Sequence, residues 1–475
     1  MATVTALDLV NIIDELEIES IFTEEEYSEL FEQALELIDA YMQEHLLELM
    51  HAHFIQGLKD SVEDVLIDQI SDLYDLDVEP DVQTVVHEAL QFFFQTQLPP
   101  REYATSCIRR WPNLEALDAK LHYLQSIPQP EQRTPEWYEV RSKYLTASSI
   151  WKAFGTESTR NQLIYDKCKP FNPDKYGFTS TDSTLHWGHK YEPLSVMLYE
   201  HLYDTKVSDF GCLPHRTLPF LAASPDGINT LKTSARYGRM LEIKNIVNRV
   251  IDGNPKMEYW IQMQVQMEVC DLNECDFLET RFKEYDSFAE FEADASPSDP
   301  MCYNKTASGD MKGIILQFNQ QGQPFYVYAP VHVLASNETF DQWMDEQMTT
   351  YRHLTWIQNI YWRLDQLSCI LVLRNKRWFN AAVPVLQEIW AIIQREKANG
   401  YEHRAPKKRL ASSPATGLRV TKLNDTHSTK GAGAGGGGLC HLLTQHLFVN
   451  TAIEVNTNSN TNTETSMDVD MEVDA

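Results

Sequence analysis

Basic side chains are nearly missing from the first hundred residues, where 24 Asp and Glu stand against Lys59 alone, a balance of -23. The last 51 residues hold seven acids and one base, whereas residues 101–424 hold 38 of each. The net charge of -29 therefore belongs to the two ends. An average charge that would repel polyanions leaves a neutral middle able to offer a local basic patch. Also missing is any apolar run of the ~18–20 residues that span a bilayer, so no membrane partner is expected. The opening stretch MATVTALDLVNIIDELEIES has no basic n-region and no small-residue cleavage site, which predicts an intracellular chain that is not secreted. The eight cysteines form no CxxC and no framework spacing. That favours a reducing compartment and argues against structural zinc or an iron–sulfur cluster. His186, His201 and His215 likewise make no metal-ligand constellation.

What the first hundred residues do have is helical periodicity. FTEEEYSELFEQALELIDAYMQEHLLELM repeats apolar residues at i, i+3, i+4 and i+7 and begins on a Thr-x-x-Glu capping pattern at Thr23. SVEDVLIDQISDLYDLDVEPDVQTVVHEALQFFFQTQL continues the pattern, broken at Pro80. Residues 1–127 read as a small all-α acidic domain and linker. Its charge reads first as a solvated surface, with a partner-binding face or a DNA mimic that gates the rest as the alternatives. The Pro-rich junctions LPPREYATSC and SIPQPEQRTPEW flank a helical pattern at 111–125. Over 128–403 short strands mix with helices: KGIILQF and FYVYAPVHVL as strands, 339–363 and 382–397 as helices. Residues 404–475, with turn formers, a glycine run and an acidic end, read as a disordered tail. Within it Lys407, Lys408 and Arg409 have the composition of a nuclear import signal. No internal repeat is present.

AASPDGINTLKTSARYGRMLEIKN, residues 222–245, sets Asp226, Glu242 and Lys244 into what reads as one hairpin. Strand alternation points Glu242 and Lys244 to one face and turns Ile243 into the core. A closed hairpin lets Asp226 reach that face too. Two ionised carboxylates placed together repel, and a divalent cation removes the penalty. Hard oxygen ligands suit Mg²⁺ or Mn²⁺, with the Ile243 carbonyl as a further oxygen. Lys244 can then orient a water, favour its hydroxide form and offset charge on an attacked phosphate. The same residues also read as a good turn followed by a solvated Glu–Lys face.

Three further stretches tip that balance. TLHWGHKYEPLSVMLYEHLY carries Glu192, a possible third carboxylate, early in a helix whose apolar side is Leu194, Met197, Leu198 and Leu202. TPEWYEVRSKYLTASSIWKAFG sets Arg141 seven residues before Ser148, a cation and a hydroxyl suited to phosphate. PKMEYWIQMQVQMEVC puts Tyr259 and Gln262 on one helix face. Simple packing explains Trp260, Ile261, Val265 and Met267 there, but not the alternation of Gln262, Gln264 and Gln266.

Arg-x6-Ser in RSKYLTAS, Gly-x3-Glu in GHKYE, Ser-Pro-Asp-Gly, Glu-x-Lys in EIK and Tyr-x2-Gln-x-Gln in YWIQMQ follow one another in that order. Together they resemble the PD-(D/E)xK nuclease superfamily. Within it they are similar to the lambda exonuclease/YqaJ-like viral recombinase family, which includes alkaline exonucleases of large DNA viruses. The likeness covers about residues 130–285, roughly a third of the chain. It implies a restriction-endonuclease-like α/β core, a mixed central sheet flanked by helices. It implies a metal-dependent exonuclease acting 5′ to 3′ on linear double-stranded DNA, leaving 3′ overhangs for single-strand annealing recombination.

Position by position, the resemblance implies that Asp226, Glu242, the Ile243 carbonyl and Glu192 hold two Mg²⁺ or Mn²⁺ ions. It implies a catalytic set of Asp226, Glu242, Lys244 and Gln262, in which Lys244 activates water and Gln262 supports the site. Arg141, Ser148 and Ser224 would hold the terminal 5′-phosphate, and Tyr259 would line the DNA side. The implied partners are double-stranded DNA ends, a single-strand annealing protein and further copies of the chain, as in the ring-shaped trimers of phage relatives.

Several features depart from the family. Asp226 and Glu242 lie 16 positions apart, further than in the phage enzyme. A further acid of that enzyme is matched only by Asp209, and the acidic helices and the tail lie outside the likeness. Two alternatives share the core: a structure-specific or nicking endonuclease, and a non-catalytic DNA-binding recombination scaffold. The intact Asp226, Glu242 and Lys244 weigh against the scaffold.

Overall fold

The computed structural model describes residues 20–406, except 75, 109–112, 133, 173–182 and 298–302. Residues 1–19 and everything from 407 on, including Lys407, Lys408 and Arg409, lie outside the described residues.

Helices Glu24–His45, Phe54–Ile70 and Glu79–Thr96 occupy the acidic stretch. The first starts as its sequence demands: the Thr23 hydroxyl accepts from the Glu26 N–H at 3.3 Å, and the Glu26 carboxylate accepts from the Thr23 N–H at 2.9 Å. Pro80 stands in the first turn of the third helix, where its missing N–H is no loss. Leu30, Ala34, Ile38 and Met42 of the first helix and Val82, Val85, Val86 and Ala89 of the third face inward. One apolar cluster runs from these helices to Trp260, Trp378 and Ile393. Trp260 and Trp378 meet edge to face with centroids 5.0 Å apart, and the Trp378 indole donates to the Leu47 carbonyl at 3.2 Å. Buried Arg101 donates to the carbonyls of Met50 and Pro255 and pairs with Glu102 at 2.7 Å.

The strands are β1 (Leu145–Thr146), β2 (Val207–Ser208), β3 (Leu213–Pro214), β4 (Leu221–Ala223), β5 (Gly227–Asn229), β6 (Met240–Asn245), β7 (Glu274–Glu284), β8 (Lys312–Gln320), β9 (Gln323–Tyr328) and β10 (Thr355–Leu373). A seven-stranded mixed sheet has the order β2-β5-β6-β7-β10-β8-β9, and β1-β4-β3 form a small second sheet. Within the large sheet β6 and β7 run parallel, and helix Met257–Cys270 makes the crossover that such a pair requires. Helix Thr184–Tyr203 covers the opposite face, where Tyr199 packs with Leu241, Ile243 and Leu278. This is the α/β architecture expected: a mixed central sheet flanked by helices, preceded by an all-α region.

Several element expectations need correction. Residues 339–363 are not one helix: helix Asn337–Thr350 ends there, and β10 begins at Thr355. TWIQNIYW is rich in aromatic and β-branched residues, and β10 pairs with β7 on one side and β8 on the other. FYVYAPVHVL is strand only as far as Tyr328. The helix expected at 382–397 extends over Lys376–Asn399, with Pro384 inside it. The pattern at 111–125 is helix Leu114–Ser126, capped by the Asn113 side chain. Leu202, placed on the apolar side of its helix, is 46% exposed. Among the described residues no helix is long and apolar enough to cross a membrane.

Candidate active site

β5 and β6 form the expected hairpin, paired Gly227 to Leu241 and Ile228 to Met240. The long loop between them leans on helix Leu114–Ser126, where Lys232 and Tyr237 both reach Asp118. A Cβ on Gly227 would fall 2.1 Å from Val207 Cγ1 of β2, so the turn must end in glycine. Beyond Leu241, β6 outruns β5. The Asp226 carboxylate takes the place of the missing strand, Oδ2 accepting from the Ile243 N–H at 2.7 Å. In an extended strand the N–H and C=O of one residue point to the same side, so the Ile243 carbonyl also faces the Asp226 edge. Its side chain turns into the core, as alternation predicts.

Glu242 points to the other face, toward the crossover helix, and is fully buried. Its Oε2 accepts from Gln266 Nε2 at 2.7 Å. Its Oε1 lies 2.9 Å from Lys244 Nζ, an ion pair without hydrogen-bond alignment. The Lys244 ammonium stands 4.7 Å from the Tyr259 ring centroid. Burial, then the Glu242 carboxylate, then Glu192 push the Asp226 carboxyl well above the usual range, against the pull of Lys244 and the Ile243 N–H. Such crowding is relieved by one more positive charge.

The carboxylates of Asp226 and Glu242 and the Ile243 carbonyl are hard oxygen donors of the type that fits Mg²⁺ or Mn²⁺. Among the described residues no three His, Cys, Asp or Glu side chains form a complete metal cluster. Mg²⁺ does not need one: it is commonly held by one or two carboxylates and keeps several waters. Glu192 reaches Asp226 through its charge rather than as part of such a cluster.

Arg141, Ser148 and Ser224 come together. The Arg141 guanidinium donates to Ser148 Oγ at 3.0 Å and to Ser224 Oγ at 3.2 Å. It lies 4.3 Å from the Trp137 ring, on helix Pro135–Ser142, whose start Thr134 caps. Among the described residues Arg141 has no carboxylate partner, and a fork of N–H donors beside two hydroxyls is chemistry that suits an anion. Ser224 precedes Asp226 by two residues, and its carbonyl accepts from Gln266 Nε2 at 3.4 Å. The anion-receptive trio therefore adjoins the carboxylates.

Gln262 lies one helical turn before Gln266 on the same face, 7% exposed. The contact with Glu242 is made by Gln266, which the sequence signalled only through the glutamine alternation. Gln264 turns elsewhere, donating to the Leu373 carbonyl at 2.9 Å and accepting from the Asn375 N–H at 2.7 Å. Glu279 is a further residue of the site, and one without a sequence signal. The parallel register sets it opposite Lys244, fully buried and paired with Arg249. Burial raises its carboxyl above the usual range despite that partner. Arg249 lies 5.5 Å from the same Tyr259 ring that Lys244 faces. Asp209 is exposed just past β2.

Residues 136–273 match the family model of the YqaJ-like viral recombinase domain. The matched stretch contains the arginine–serine trio, both hairpin carboxylates, Lys244, Glu192 and the glutamines of the crossover helix. The match falls on the stretch that the motif order singled out. The uncharacterized protein R354 of Acanthamoeba polyphaga mimivirus is 31% identical over 312 residues, covering 58% of this chain and 55% of the relative. The chain thus spans about half the length of that curated relative. Two structures of the alkaline exonuclease LHK-Exo from Laribacter hongkongensis, one in complex with dAMP, align over 57% of this chain and 98% of theirs. Their identity is 17% and their TM-score 0.32, too loose an overlap to carry activity across.

Proposed function

We propose that this chain is a DNA exonuclease dependent on Mg²⁺ or Mn²⁺, working 5′ to 3′ from the phosphorylated ends of linear duplex DNA. The supporting observation is the adjacency of two parts: Arg141 with its two serines, and Asp226 with Glu242 and Lys244, joined through Ser224. In this reading Asp226, Glu242 and the Ile243 carbonyl hold one divalent ion, and Glu192 can join a second. Such ions, when bound, neutralise charge developing on the scissile phosphate and favour ionisation of water at neutral pH.

The chain's own groups do the positioning. Arg141 grips the terminal 5′-phosphate through two N–H donors, with the Ser148 and Ser224 hydroxyls completing the cradle. Lys244, kept close by Glu242, orients the attacking water and offsets charge on a non-bridging oxygen. Water adds to phosphorus in line, the P–O3′ bond breaks, and the 3′ oxygen leaves with a proton. The product is a 5′-mononucleotide, and the shortened strand begins with a new 5′-phosphate. Repetition leaves a 3′ overhang, the substrate of single-strand annealing recombination. An annealing-protein partner, a ring-shaped trimer and an intracellular site of action belong to the same proposal.

The test uses linear duplex labelled at either end, with and without a 5′-phosphate, in Mg²⁺. Mononucleotides released from phosphorylated 5′ ends by wild type, and not by Glu242→Ala or Lys244→Ala, support the proposal. Cutting of closed circles would instead indicate an endonuclease on the same core. DNA binding without any cutting would indicate a scaffold.

A further inference from the structure

Two of the buried glutamines on the crossover helix use their amides differently. Gln264 satisfies both ends of its amide on the backbone, at Leu373 and Asn375. Gln266, equally buried, leaves its Oε1 without a donor among the described residues. An orphaned buried oxygen is costly, and a methionine of similar shape would pack without that cost. The N–H side of the Gln266 amide explains why glutamine stands there. Nε2 is 2.7 Å from Glu242 Oε2 and 3.4 Å from the Ser224 carbonyl. Turning the amide over would face its oxygen against the Glu242 carboxylate, so only this orientation fits.

With Oε2 tied to Gln266, Glu242 cannot spin about its last bond, and Oε1 stays on the Lys244 side. The same Nε2 touches the backbone of Ser224, whose hydroxyl receives Arg141. We propose that Gln266 is a positioning residue. It holds the plane of the Glu242 carboxylate and fixes it to the Ser224 wall, so that the group binding the ion and the group binding the strand end keep one spacing. The inference rests on the reading of Asp226 and Glu242 as the ion-holding pair.

The full chain is compared with Gln266→Met, which keeps the shape and loses the N–H, and with Gln264→Met, an equal insult to the same helix. Two quantities are read: Mn²⁺ affinity by calorimetry without DNA, and kcat and KM on a 5′-phosphorylated duplex. Gln266→Met is expected to bind Mn²⁺ about tenfold more weakly and to lose about 10- to 100-fold in kcat, with KM unchanged. Gln264→Met should melt at a lower temperature with Mn²⁺ affinity and kcat intact. Wild-type values in Gln266→Met, or equal losses in Gln264→Met, overturn the inference. Should Gln266→Met not fold, Gln266→Asn, which withdraws the amide by one methylene, is read by the same criteria. If wild type binds Mn²⁺ but cuts no DNA, the exonuclease reading fails and the Mn²⁺ comparison still decides Gln266. If wild type binds no Mn²⁺, both fall.

Discussion

Asp226 accepts a hydrogen bond from the backbone N–H of Ile243 at 2.7 Å, at the point where β6 outruns β5. One strand register thereby fixes an acid beside Glu242, and burial with that neighbour raises the Asp226 carboxyl well above its unfolded value. A group raised in this way contributes stability that is complete below the unfolded pKa, about 3.9, and is lost as pH rises through the folded value. Metal-free protein should therefore melt at falling temperature as pH rises from about 4 toward neutrality. Asp226→Asn, whose amide oxygen still accepts from Ile243, should lose that slope and melt above wild type at neutral pH. Thermal melts in EDTA across pH check this, and Mn²⁺ should raise the wild-type midpoint more than that of the variant.

Lys244 sits between the Glu242 carboxylate and the Tyr259 ring. In the proposed reading Lys244 orients the attacking water, so Lys244→Ala should lower cleavage by about 10²- to 10⁴-fold. Binding of a 5′-phosphorylated duplex in EDTA, followed by fluorescence anisotropy, should stay within about twofold of wild type, since a lone cation contributes little against the many phosphate contacts of a duplex. A large loss of binding would assign Lys244 to DNA grip instead of chemistry.

Much of this site was legible because its parts are local. Ser-Pro-Asp-Gly is a turn on its own account, Glu-x-Lys alternates on any strand, and Arg141 and Ser148 lie within one helix-turn segment. Periodicity gave the acidic helices, and Thr23 marked where the first begins. What was not legible depends on neighbours far away in the chain. TWIQNIYW becomes strand because β7 and β8 flank it. Glu279 meets Lys244 only through the parallel register. Gln262 and Gln266 are one turn apart on one face, and only the depth of Glu242 beneath the helix decides which of them touches it.

Arg141 has two hydroxyl partners and, among the described residues, no carboxylate. Arg141→Lys keeps the charge and loses the fork. KM for 5′-phosphorylated ends should rise about tenfold, equivalent to about 1.4 kcal/mol. The preference for phosphorylated over hydroxyl ends should shrink toward one, because in the proposed reading only phosphorylated ends use the fork. Steady-state rates on the two end types, measured side by side, decide this. An unchanged preference would place the phosphate elsewhere.

Trp378 joins the acidic helices to the crossover helix, with its ring edge to face on Trp260 and its N–H on the Leu47 carbonyl. Arg101 makes a second tie, between Met50 and Pro255. Helices that share one apolar cluster in this way lose their core together. The full chain should unfold in urea as one transition, with fluorescence and far-UV circular dichroism coinciding. Trp378→Ala should cost about 3–5 kcal/mol and shift that transition without splitting it. Removing residues 1–100 should leave Trp260 and Trp378 uncovered and yield insoluble protein. A soluble, cooperatively folded truncated chain would show that the acidic helices form an independent domain, and its activity would then reveal whether they gate the site.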